Sequence, residues 1–217
     1  MASERIQLRS LGAAVAAVVG IEILMWWSIE SDRINPMAAL GWGRIAEIVA
    51  FTLVLRVWRG GLDEIGMRKG SILPGLLQGL VWSAVAGGMA GCALFVLPGL
   101  GIDPLEWLPV RLLRETDDRI TLFVVGGLIG PVAEEIFFRG ILYGYLRRWG
   151  VVMATGISTA AFVLLHSSPG VVQAVGGILF AAAYEAKGRL TAPITLHVLG
   201  NTALFFLSLM VCGARHP

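Results

Sequence analysis

The chain has 217 residues, of which 56% are hydrophobic and only 15% charged, with a formal net charge of +2. Soluble domains carry about 25% charged residues, so this chain cannot cover itself with polar surface in water, and its mean hydropathy is +0.77. A soluble enzyme, a disordered tail and a nucleic-acid binder are excluded, the last because no basic run is long enough to track phosphates.

Crossing a ~30 Å hydrocarbon core takes roughly 20 apolar residues. Seven apolar runs predict spans at about Leu11–Ile29, Met37–Trp58, Leu73–Leu97, Ile120–Arg147, Val151–His166, Val171–Glu185 and Thr191–Cys212. The fifth and sixth are short, and no alternating strand pattern competes with the helical reading. The expected fold is therefore all-α, a polytopic membrane helix bundle of about seven transmembrane helices. Arg5 and Arg9 precede the first run as in a signal segment, but no small-residue cleavage site follows, so an uncleaved first helix is expected. Cys92 and Cys212 lie in apolar stretches, which argues against a disulfide framework. The 28 glycines, without a collagen period, suit close helix packing.

Loop charge sets orientation. With the N-terminus inside, the inner segments hold Arg5, Arg9, Arg56, Arg59, Arg68, Lys69, Arg147, Arg148, Lys187 and Arg189. The outer segments hold Arg33, Arg111, Arg114, Arg119 and Arg215, which makes ten against five and predicts a cytoplasmic N-terminus. The stretch Asp103–Arg119 mixes Trp107, Leu108, Leu112 and Leu113 with charges and reads as an interfacial connector, a substrate gate being the alternative.

Ionisable groups within the bilayer are costly and mark function. The fourth span carries Pro131, Glu134, Glu135 and Arg139. Glu135 and Arg139 stand at i,i+4 with the acid N-terminal, the favourable order for a helical ion pair. Glu134 points about 100° away around the helix, so one acid can be neutralised while the other faces a cavity. Pro131 removes a backbone donor and can bend the helix. The fifth span ends at His166, and the seventh places His197 and Asn201 on one face at i,i+4. Together these residues could line one polar cavity that holds water for hydrolysis. Depth counting opposes this, since His166 falls near the outer end of its span and His197 nearer the inside. Elsewhere, Arg44 and Glu47 are expected to pair, Glu22 has no partner visible in sequence, and Gln78 and Gln173 suit interhelical hydrogen bonds.

The motifs Glu134-Glu135-Ile-Phe-Phe-Arg139, Phe162-Val-Leu-Leu-His166 and His197-Val-Leu-Gly-Asn201 resemble the EExxxR, FxxxH and HxxxN/D patterns of the CPBP family of intramembrane proteases, the CAAX-processing and bacteriocin-processing enzymes also called the Abi family. The likeness covers roughly Ile120 to Cys212 and includes the stretch Gly177 to Asn201. It implies a catalytic helical core at residues 120–217, preceded at 1–119 by three spans and the connector. It implies that Glu134 activates water as general base, that His166 helps hold the water, and that His197 and Asn201 stabilise the oxyanion. Glu135 and Arg139 would support them. The implied activity is an intramembrane endopeptidase of glutamic type acting on a membrane-associated protein or peptide.

The family was long called metalloproteases, and the residues themselves allow two chemistries. One is cofactor-free; in the other Glu134, His166 and His197 ligate zinc, although no HExxH pattern is present. Three further readings compete. A catalytically silent scaffold or immunity protein would not need the intact polar set. A haem protein ligated by His166 and His197 leaves the glutamates unexplained. A proton-coupled transporter lacks its inverted repeat. A prokaryotic inner membrane is the expected location.

Overall fold

A computed structural model of the protein describes residues 6–59, 61–107, 116–166 and 169–215. Among these, seven main helices occur and no strand. They are α1 (Leu8–Glu30), α2 (Pro36–Arg59), α3 (Ile72–Val96), α4 (residues 116–149), α5 (Val151–Leu164), α6 (Val171–Lys187) and α7 (Thr191–Arg215). Their order and bounds follow the expected spans to within a few residues. Among the described residues, five segments are long and apolar enough to cross a membrane: Leu8–Glu30, Pro36–Val57, Leu62–Leu100, Arg119–Trp149 and Thr191–Met210. The protein is an integral membrane helix bundle. Helices α5 and α6, with 14 and 17 residues, fall short of the roughly 20 that span a bilayer. Residues 108–115 of the connector, Arg111 and Arg114 among them, lie outside the described residues, as do Arg5 and the side chain of Cys212. Pro104–Trp107 of the connector forms a 3₁₀ turn.

Local chemistry accounts for the helix ends. Asn35 precedes Pro36, and its Oδ1 accepts the Met37 N–H at 2.8 Å, an N-cap followed by proline in the first turn. Helix α6 ends at Gly188, whose φ of 61° is left-handed and unfavourable for a side chain. Small residues then let helices meet. A Cβ on Gly75 would collide with Thr191, and one on Gly79 would lie 2.5 Å from the Thr195 Cβ. The Gly75–Gly79 spacing is the small-xxx-small pattern of membrane interfaces, and it seats α3 against α7. The Gln78 amide donates to the Ala183 carbonyl at 2.9 Å, the interhelical role expected of it.

Helix α4 is not uniformly wound. It is α-helical at Thr116–Leu122, π-helical at Phe123–Ile129, α-helical at Gly130–Glu135 and π-helical again at Ile136–Tyr143. Wide turns of this kind inside α-helices concentrate at functional sites. Here they bracket the six residues that carry both glutamates.

Candidate active site

Glu135 and Arg139 form the expected pair. The guanidinium Nη1 donates to Glu135 Oε1 at 2.9 Å, and both side chains are fully buried. The pair is held from two further directions. Arg139 Nη2 donates to the Gly177 carbonyl of α6 at 3.2 Å. The guanidinium carbon also lies 4.7 Å from the Phe162 ring centre, 5.1 Å from Phe180 and 5.7 Å from Phe138. Three aromatic faces supply cation–π attraction where water cannot solvate the charge.

Glu135 also reaches across the bundle. His197 Nδ1 lies 2.8 Å from the same Oε1 that Arg139 engages. A carboxylate accepts only, so His197 donates through Nδ1–H and turns Nε2 toward the cavity. Its ring is fixed by stacking on Phe180, with centroids 4.4 Å apart at 21°, and by the edge of Phe162 at 5.7 Å. His166 is oriented by the same logic. Its Nδ1 donates to the Phe162 carbonyl at 2.6 Å, which leaves Nε2 free to face Glu134.

Glu134 is the acid left without a guanidinium. It is partly exposed, with a side-chain accessibility of 21%. Its Oε2 stands 3.9 Å from His166 Nε2 and 3.8 Å from His197 Nε2. These separations exceed a direct hydrogen bond and suit one water touching all three. The depth conflict is thereby removed. Helix α5 ends at Leu164, and His166 lies in the turn beyond it, so it reaches the level of Glu134. Asn201, one turn after His197, donates through Nδ2 to the Gly126 carbonyl of α4 at 2.9 Å.

Among the described residues no group of three or more His, Cys, Asp and Glu is arranged to hold a metal ion. The zinc set would have to be Glu134, His166 and His197. Donors about 2.0–2.1 Å from a tetrahedral ion lie roughly 3.4 Å apart, closer than the separations from Glu134 found here.

Three features escaped the sequence. The bond from His197 to Glu135 joins residues in different helices. The aromatic cage uses Phe138, Phe162 and Phe180, of which only Phe162 is a defining residue of one of the motifs. Glu22 has a partner after all, since Arg44 Nη2 lies 3.7 Å from its Oε1 while Arg44 Nη1 donates to Glu47 at 2.7 Å. Arg44 also interacts electrostatically with Glu134. Glu22 stands in the apolar run of α1, so no local pattern could have revealed the partner.

Residues 116–203 match a family described as Rce1-like, "Type II CAAX prenyl endopeptidase Rce1-like". The chain is 26% identical over 197 residues to "Putative membrane peptidase YdiL" of Bacillus subtilis (strain 168), covering 81% of this chain and 75% of that protein. It is 31% identical over 100 residues to "Membrane-embedded CAAX protease MroQ" of Staphylococcus aureus (strain USA300), covering 42% of this chain and 40% of that protein. No solved structure matches. The family match contains every residue of the polar cluster from Glu134 to Asn201.

Proposed function

We propose that this chain, whose residues 116–203 match the Rce1-like CAAX endopeptidase family, is an intramembrane endopeptidase that cuts a membrane-associated protein or peptide with a glutamate-activated water. The observation that carries this reading is the convergence of Glu134 Oε2 with the Nε2 atoms of His166 and His197 at 3.9 and 3.8 Å.

In this reading a water sits between the three groups. Glu134 takes its proton as the oxygen attacks the scissile carbonyl carbon. The developing oxyanion is met by His197 as imidazolium, through Nε2–H, while Glu135 fixes the ring and carries the counter-charge. His166 helps hold the water. When the intermediate collapses, Glu134 returns the proton to the departing amine nitrogen and the C–N bond breaks. Arg139 keeps Glu135 in place from its aromatic cage.

This account needs no cofactor, and the zinc alternative is tested directly. One zinc per purified chain, lost together with activity on chelation, would replace it. An inner bacterial membrane with the N-terminus inside accords with the loop charges. The central experiment compares precursors that accumulate in a deletion strain with those in a strain carrying Glu134→Gln, then adds purified protein to the precursor found. Cleavage by the wild type and none by the variant is expected. Equal cleavage by both would remove Glu134 from the chemistry.

A further inference from the structure

Pro131 creates a specific vacancy in the hydrogen-bond ladder of α4. Residues 123–129 are π-helical, and at the end of that stretch the Gly130 N–H donates to the Val125 carbonyl, five residues back. The next rung would run from residue 131 to the carbonyl of Gly126. Residue 131 is proline and has no N–H. The Asn201 side chain fills that place, with Nδ2 2.9 Å from the Gly126 oxygen. A carbonyl only accepts, so the amide nitrogen must face it. One turn further along each helix, Phe205 packs on Phe123 with ring centroids 5.0 Å apart. The two antiparallel segments are thus pinned at two successive levels.

The vacancy lies just before the site. Glu134 stands on the turn that begins at Gly130, and its Oε1 would be 3.9 Å from a Cβ placed there. In a bilayer interior an unpaired carbonyl cannot turn to water. Without Asn201 the turn must rewind to find a donor, and rewinding a turn rotates the side chains that follow it.

We infer that Asn201 is a positioning residue: its amide replaces the N–H that Pro131 lacks, and through the Gly126 carbonyl it fixes the turn that aims Glu134 at His166 and His197. This rests on Glu134 being the base, and it adds a positioning role to the oxyanion role that the family likeness implied, since the amide nitrogen carries a second N–H beyond the one given to Gly126.

Two measurements test it, and the first needs no substrate. The chain has only two asparagines, Asn35 and Asn201, so asparagine labelled with ¹⁵N gives two side-chain amide signals. In nanodiscs, one Asn201 amide hydrogen should exchange with water about tenfold more slowly than those of Asn35, the protection expected of one hydrogen bond. In Pro131→Ala, where a backbone N–H can take the carbonyl, that protection should fall. Absence of protection in the wild type overturns the inference. The second is a cleavage cycle on the accumulated precursor. Asn201→Ala should lower kcat about 100-fold with KM unchanged, as expected of a misplacement near 1 Å. The loss should shrink to less than about tenfold when the same change is made in Pro131→Ala. An equal loss in both backgrounds would mean that Asn201 acts on the substrate itself and would overturn the inference. If the wild type cleaves no precursor, the enzymatic reading fails, and the exchange measurement alone decides the Pro131–Asn201 clamp.

Discussion

Two of the ion pairs within the membrane-spanning helices are built differently. Arg44 and Glu47 of α2 pair at i,i+3 and 2.7 Å, and Arg44 stays partly exposed and shared with Glu22. Glu135 and Arg139 of α4 pair at i,i+4 and 2.9 Å with no exposure at all, inside an aromatic cage and with His197 on the same carboxylate oxygen. The first pair braces a helix and ties it to Glu22 of α1. The second turns one acid into an anchor, which leaves the adjacent Glu134 to face the two histidines. A buried ion pair is therefore no mark of chemistry by itself; the neighbouring acid with no cation of its own is.

The contrast can be broken hardest at Glu134. Glu134→Gln keeps the shape but cannot take a proton, and loss of a general base typically costs about 100- to 10,000-fold. Its melting temperature should match the wild type, because no guanidinium depends on it. Normal cleavage with a lowered melting temperature would invert the assignment of the two glutamates.

Glu135→Gln should do the opposite in stability. It leaves Arg139 in its cage without a counter-charge, and breaking a buried pair costs about 3–5 kcal/mol. Thermal melts of detergent-purified protein should show the loss, and replacing Arg139 by Met in the same chain should recover part of it. Activity falls as well, since His197 loses the acceptor that orients it.

At the other pair, Arg44→Gln strands the buried Glu47. Arg44 is itself partly exposed, so the expected cost is smaller, about 1–3 kcal/mol. Cleavage should stay within about tenfold, the influence of a charge acting on Glu134 without contact. A loss of activity as deep as that of Glu134→Gln would show that the two pairs are not distinct in kind. The smallest effect is expected from chelation, which should leave cleavage rates unchanged; a rate that falls on chelation and returns with added zinc would refute this.

What could be read from the sequence was what is local. The seven helices, the i,i+4 pairing of Glu135 with Arg139 and the separate direction of Glu134 all follow from periodicity over a few residues. The contacts that turn these residues into a site are tertiary. Nothing near Glu135 announces that its carboxylate holds His197, 62 residues away. Nothing near Arg139 shows that Phe180 of α6 covers it. The π winding was hidden too. Pro131 signals a bend, but which carbonyl is left open depends on the register of the turn before it. The depth conflict between the histidines has the same origin: the apolar run continues to His166, whereas the helix stops at Leu164.

That early stop has a consequence for the membrane itself. Fourteen residues make a rod of about 21 Å, against a hydrocarbon slab of about 30 Å. Val152 and Leu164, near its two ends, are 84% and 75% exposed, so its outer side meets lipid. Acyl chains adapt to so short an apolar rod by thinning around it. Thinning of that kind would bring the headgroup layer closer to His166. A hydrolytic reaction that would otherwise lie deep in oil gains a shorter route for water, and a substrate segment can unwind there with its backbone near a hydrated rim.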